Sequence, residues 1–208
     1  MATAHMITAT FDPITHIYHN AAGELVPHSV TGLLKAYGLI PPLPPEAQAA
    51  QERKRRIGER VHAATACIDR GERYQVDDQS APYVDAYVEF RRACGFTPTG
   101  IEKPYVGKLC GLEIGMRPDR SGTLNGEAAI LDIKCVATEQ AHWRIQTAGY
   151  SLLLPMPLAH PFRWSRFALQ LTPELSVPFR LKRYDSDCDL DCFKAIVLLE
   201  KWKRVEGA

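Results

Sequence analysis

Asn125-Gly126 constrains this chain more than any other pair of residues. A two-residue hairpin loop of type I′ needs φ > 0 at both positions, and Asn-Gly meets that need at low steric cost. "RPDRSGTL" precedes the pair and "EAAILDIKC" follows it. With Asn125 and Gly126 as the loop, residue i faces residue 251 − i. Asp119 then stands opposite Asp132, with Cβ atoms about 4.5–5.5 Å apart on one face. Ser121-Gly122 is a competing turn, and a slip of one residue sends the two carboxylates to opposite faces.

"AILDIKC" (129–135) reads as a buried strand interrupted by Asp132 and Lys134. Residues i and i+2 share a strand face, so Asp132 and Lys134 lie with Ile130, while Ala129, Leu131, Ile133 and Cys135 point the other way. Burying an isolated charge is costly, so such residues are paired, metal-bound or catalytic. Two adjacent carboxylates repel, and at least one is protonated unless a cation sits between them. Oxygen ligation by aspartates points to Mg²⁺ or Mn²⁺ rather than zinc. Lys134 can then hold a phosphate oxygen or orient an attacking water, which suggests phosphodiester hydrolysis. The competing reading is a buried Asp132–Lys134 ion pair with Asp119 exposed in a loop.

Composition narrows the classes. A chain of 208 residues suits one domain with a small appendage. Its formal net charge of +1 announces no nucleic-acid partner, so any basic surface must be local. No run of about 18 apolar residues exists, so no membrane span is expected. The first residues lack a charged segment followed by an apolar one, and the six cysteines are scattered. Reduced thiols in a cytoplasmic protein are therefore expected.

Along the chain, 7–19 reads as a short extended segment and 20–24 as a turn. Residues 29–37 read as a short helix capped by Ser29. A proline-rich hinge (40–46) leads into a long helix over about 45–70, ended by Gly71. A second helix covers 81–94, its Tyr83, Tyr87 and Phe90 at core spacing. From 100 to 119 the pattern predicts two strands or one bent one. A helix over 139–154 stops at Pro155 and Pro157. Residues 163–172 and 177–184 form a hairpin around "PELS", and 191–205 close the chain as an amphipathic helix.

Pro118-Asp119, followed after a 12-residue gap by Asp132-Ile133-Lys134, resembles the signature of the PD-(D/E)xK nucleases. Gln146 and Tyr150, as Q-x-x-x-Y on the following helix, resemble the RecB-type exonuclease branch. Gly58 and His62 match its G-x-x-x-H pair, and Glu102 in "GIEKPYV" matches a glutamate on the preceding strand. "HIYHNAAGELVPHSVTGLL" resembles the leader of phage and mitochondrial exonucleases of this branch. The resemblance runs from about residue 11 to 150. It implies an α/β fold with a restriction-endonuclease-like core: a mixed central sheet of about four or five strands flanked by helices. Residues 1–44 would be an N-terminal extension and 45–208 the nuclease core.

The resemblance also assigns roles. His62, Asp119 and Asp132, with the backbone carbonyl of Ile133, would hold one or two Mg²⁺ or Mn²⁺ ions. Lys134 would be the catalytic lysine, and Glu102 a ligand or an orienter of water. Gln146 and Tyr150 would contact DNA or support the site. Two departures stand out: Asp rather than Glu at 132, and Cys135 where Thr or Ser is usual. Some relatives carry an iron–sulfur cluster on three close C-terminal cysteines; only Cys188 and Cys192 are close here, so none is expected.

Arg53 and Arg55 in "RKRR" open into the His62 helix and are candidates to neutralise DNA phosphates. Arg117, Arg120, Lys103 and Lys108 are candidates for the same role. The implied activity is DNA hydrolysis by an exonuclease in phage recombination or DNA processing, on single- or double-stranded ends. The source would be a phage or its bacterial host, and a homo-oligomer or a recombination-protein partner is compatible with this. The alternatives are a structure-specific endonuclease and a non-catalytic DNA-binding or assembly module on the same fold.

Overall fold

The computed structural model describes residues 9–207, apart from 43, 45, 47, 157–162 and 174–175. Parts of the proline-rich hinge, of the "PELS" turn and of the 7–19 segment, together with Pro157, lie outside these. The strands β1 (Thr10–Asp12), β2 (Ile17–His19) and β3 (Leu25–Val26) form a small antiparallel meander. The expected single extended segment is thus a hairpin, because Asp12 Oδ1 accepts the Ile14 N–H at 2.8 Å and turns the chain. β4 (His28–Ser29) runs directly into α1 (Val30–Ala36), whose N-cap is Ser29 accepting the Gly32 N–H at 3.0 Å.

The long helix α2 (Gln48–Arg70) ends at Gly71 with φ 69°, and α3 (Ala81–Cys94) ends at Gly95 with φ 61°. Both are left-handed ends of the kind glycine favours. Next come β5 (Thr97–Ile101), β6 (Tyr105–Leu109) and β7 (Leu112–Met116). The sequence pattern predicts two strands or one bent one from 100 to 119; β6 and β7 are two separate strands there, and β5 begins ahead of them. Glu102 (φ 50°) and Cys110 (φ 51°) make the sharp turns, and neither residue type advertises a left-handed backbone.

β8 (Arg120–Leu124) and β9 (Glu127–Lys134) then pair antiparallel with partners i and 251 − i, from Leu124–Glu127 to Arg120–Leu131. Asn125 and Gly126 both have positive φ, 51° and 82°, as a type I′ loop requires. The helix α4 (His142–Leu153) crosses over to β10 (Ser165–Leu171), which lies parallel to β9. β11 (Phe179–Tyr184) pairs antiparallel with β10, and α5 (Asp187–Glu206) closes the fold. This last helix begins earlier than the apolar pattern suggests, because Asp187 and Asp189 suit the positive end of its dipole.

The main sheet has five strands in the order β11-β10-β9-β8-β5, with one parallel pair, and helices flank both faces. A second sheet, β4-β7-β6, packs beside it. On one face Ile130 and Ala128 of β9 meet Val30 and Leu34 of α1, Leu153 of α4 and Phe193 of α5. On the other, Ala129, Leu131 and Ile133 meet Val61 and Ala64 of α2 and Tyr87 and Phe90 of α3. Cover on both faces is why β9 is nearly all apolar rather than alternating. Asp132 and Lys134 fall at its C-terminal end, where the apolar cover stops.

Candidate active site

Three elements converge at the start of β8. His62 sits midway along α2, Glu102 in the turn after β5, and Asp119 immediately before β8. His62 Nδ1 lies 3.2 Å from Glu102 Oε1 and 3.3 Å from Asp119 Oδ1. One ligand atom from each residue lies within 4.8 Å of the other two, a set that can hold a metal ion. The Glu102 N–H donates to the Asp119 carbonyl at 2.9 Å, which fixes the turn at its left-handed residue. Such strain is tolerated where the surroundings over-determine the backbone.

Asp119 also reaches across the hairpin. Its Oδ2 accepts the Ile133 N–H at 2.6 Å. In a strand the N–H and C=O of one residue face the same side, so the Ile133 carbonyl also faces the Asp119 side. Asp132 is next to it, and its carboxylate is 3% exposed. The Lys134 ammonium stands 2.5 Å from Asp132 Oδ2. That contact is a tight ion pair, and the ammonium is the partner of the buried Oδ2. Lys134 also donates to Gln146 Oε1 at 3.2 Å, and Gln146 Nε2 donates to the Tyr150 hydroxyl at 2.8 Å. Gln146 and Tyr150, one turn apart on α4, therefore hold the lysine from below. The Trp143 ring lies 5.6 Å from the same ammonium.

Charge is unevenly shared. Burial pulls the His62 imidazole down, yet Asp119 and Glu102 outweigh it and raise His62 well above its usual value. Asp119 is driven the opposite way: burial raises it, but His62, Lys134 and the Ile133 N–H hold its carboxyl well below the usual range. Asp132 is pushed up to about 6, first by burial and then by the Asp119 charge, with Lys134 opposing. The neighbouring carboxylates thus favour the protonated form of His62 at a place where a divalent ion would balance their charge. Burial pushes the Cys135 thiol up to about 11, so this position offers a neutral, inert sulfur beside the site.

The structure brings together His62, Glu102, Asp119 and Ile133, and beside them Asp132, Lys134, Gln146 and Tyr150. Glu102 completes the ligand group that the sequence reading builds on Asp132, while Asp132 pairs with Lys134. Gly58, Arg53 and Arg55 are not drawn in. A Cβ on Gly58 would meet nothing within 4 Å, so this glycine is not there for close packing. Arg53 lies exposed on α2, and Arg55 is exposed and occupied by Glu52 and Glu59 on its own helix.

Arg120 overturns its expected role outright. It is 0% exposed and cannot meet a phosphate. Its guanidinium is taken up by Asp69, Thr65 and the Asp119 carbonyl. Arg117 faces Glu102 Oε2 at 3.5 Å. Asp69 and Thr65 escape a motif-based reading. Their signal was the α2 spacing, since 62, 65 and 69 share one helical face. Arg120 carried a signal too, because the hairpin register sets it opposite core-facing Leu131.

Among solved structures, the fold is similar to the crystal structure of a "Putative exonuclease" from Eubacterium rectale. The TM-score is 0.50 at 13% identity, over 85% of this chain and 73% of that one. At that identity the likeness is one of fold. A second structure, of the protein SSO0001, aligns over 56% of this chain and 57% of that one at 14% identity, with a TM-score of 0.34. No family model matches the sequence, and no curated protein matches it. No helix among the described residues is long and apolar enough to cross a membrane.

Proposed function

We propose that this chain is a divalent-metal-dependent deoxyribonuclease, and an exonuclease rather than an endonuclease. The observation that carries the reading is the convergence of His62, Glu102 and Asp119 within ligand distance of one another, beside the buried Asp132–Lys134 pair. The donor set fits a hard ion, with carboxylate oxygens and one imidazole, and the buried Asp132 carboxylate, paired with Lys134, is a further oxygen donor at hand. His62, Glu102 and Asp119, with Asp132 and the Ile133 carbonyl alongside, would hold one or two Mg²⁺ or Mn²⁺ ions. Such an ion supplies a bound water of lowered pKa and positive charge beside the scissile phosphate.

The chain's own groups do the rest. Lys134, steadied by Gln146 and Tyr150, donates to a non-bridging phosphate oxygen or to the attacking water. Asp119 gives up its hold on His62 and keeps its bond to Ile133. All these groups lie in 45–208, the part read as the nuclease core, with 1–44 as its extension. The likeness of fold to the "Putative exonuclease" of Eubacterium rectale is in keeping with an exonuclease; action on DNA ends, in phage recombination or in DNA processing, is the setting proposed for it.

The test is incubation of end-labelled linear and closed circular DNA with Mn²⁺. Progressive shortening of the linear DNA alone is expected. Cleavage of circles would replace the exonuclease reading with an endonuclease. Undiminished cleavage by a Lys134→Ala protein would overturn the catalytic assignment.

A further inference from the structure

Arg120 is wholly buried, and a hydrophobic residue of similar volume is often no less stable than a buried charge. Nε donates to Asp69 Oδ2 at 2.5 Å, and Nη2 donates to Thr65 Oγ1 at 3.0 Å. Nη1 donates to the Asp119 carbonyl at 2.7 Å and stands 3.5 Å from Glu102 Oε1. The Asp69 side chain is itself 0% exposed and also takes the Tyr87 hydroxyl and Arg91.

These contacts share a geometry. Thr65 and Asp69 lie on the same face of α2 as His62, one and two turns further on. Arg120 grips that face and is the neighbour of Asp119 in sequence. One planar guanidinium thus docks α2 onto β8 in the register that brings His62 to Asp119. The Glu102 oxygen that Arg120 faces is the one that faces His62. Arg117 stands at the other Glu102 oxygen, so the carboxylate is turned by two arginines. The five donors of arginine form a rigid fork that lysine cannot reproduce.

We propose that Arg120 is a positioning residue of the metal centre. It fixes α2 against β8 and orients Glu102, so that His62, Glu102 and Asp119 reach a single ion. The inference rests on the metal-binding reading above. Partners that orient ligands are worth about 10–100-fold in metal affinity when removed.

The experiment is Mn²⁺ titration of the full chain, followed by electron paramagnetic resonance, with urea denaturation run in parallel. Wild type, Arg120→Lys and Thr65→Val are compared; the last removes the Thr65 acceptor of Arg120 together with the bond that Thr65 Oγ1 donates to the His62 carbonyl at 3.1 Å, with almost no change of shape. Arg120→Lys is expected to weaken Mn²⁺ binding at least tenfold, and Thr65→Val by a smaller, measurable factor, in protein that is still folded. If both variants lose stability while the folded protein binds Mn²⁺ as wild type does, Arg120 is structural only and the proposal fails. If Arg120→Lys does not fold, unchanged Mn²⁺ affinity in Thr65→Val overturns the proposal by itself. Wild type that does not bind Mn²⁺ defeats the metal reading instead, a result separate from either of these.

Discussion

The Asp119 carboxylate accepts a hydrogen bond from the Ile133 N–H at 2.6 Å, across the hairpin that Asn125 and Gly126 close. This bond ties Asp119 to the strand that carries Asp132 and Lys134. It depends on an acceptor oxygen and not on charge. Asp119→Asn should therefore keep the hairpin and a native circular dichroism spectrum. Cleavage should fall by about 10²–10³-fold, the scale of losing one preorganised charge-stabilising group. The His62 pKa, followed by NMR, should drop, because the Asp119 charge is the largest influence raising it.

The Lys134 ammonium is the close partner of the Asp132 carboxylate, with the two side chains 17% and 3% exposed. Lys134→Met strands a buried charge, at a cost of about 3–5 kcal/mol when both states are ionised. Urea denaturation at pH 8 should show most of that loss. At pH 5 the loss should be clearly smaller, because Asp132, already raised to about 6, takes up a proton. Adding Asp132→Asn should restore much of the stability; a double variant no more stable than Lys134→Met would refute the pairing.

On the metal-binding reading, protons and metal would compete at this site. Asp132 titrates above its unfolded value, so the folded chain holds a proton the unfolded chain has released, and stability declines as pH rises from about 4 to about 6. His62 is raised, so its stabilising share is full below its unfolded pKa and fades as pH rises through the folded one. Asp119 is lowered, so its share is present above its unfolded pKa and lost in acid. Mn²⁺ requires deprotonated Asp132 and neutral His62. The Mn²⁺-induced rise in Tm should thus be larger at pH 8 than at pH 5.5. Calorimetry in buffers of different ionisation enthalpy should show protons released on binding.

Two glycines of the hairpin should behave differently. A Cβ on Gly122 would stand 2.1 Å from the Thr97 carbonyl oxygen, on the strand that leads to Glu102. Gly122→Ala should cost about 3 kcal/mol and weaken Mn²⁺ binding as β5 is displaced. A Cβ on Gly126 meets nothing within 4 Å, so Gly126→Ala should cost only the strain of its positive φ, about 1–2 kcal/mol, with Mn²⁺ affinity unchanged.

Gly58 lies one turn before His62 with open space where a side chain would go. Gly58→Ala should raise stability by about 0.5–1 kcal/mol through helix propensity. If DNA approaches His62 over this turn, cleavage should fall while stability rises. Equal or higher cleavage would place the substrate elsewhere.

Much of this was legible in the order of residues. The Asn-Gly loop and its register, the Ser29 cap, the bounds of the 81–94 helix and the face shared by Asp132 and Lys134 all follow from local rules. So does the pairing of Gln146 with Tyr150 on one helical face. Less legible were the turns at Glu102 and Cys110, where residues with no preference for φ > 0 are held there by their surroundings. Arg120 was misjudged because charge suggests solvent, while its partner Asp69 lies 51 residues away and has no motif of its own.

Local rules favour the Asn125-Gly126 hairpin and most of the helices, because these depend on dihedral preferences and contacts a few residues long; the competing Ser121-Gly122 turn is excluded by the pairing of β8 with β9. It took the folded chain to bring Glu102 and Asp119 to one nitrogen of His62, and to close Asp69 and Thr65 around the Arg120 guanidinium. Those relations join residues from separate elements. They depend on how α2 docks against the sheet, a balance of packing and buried charge that no short stretch of the chain encodes.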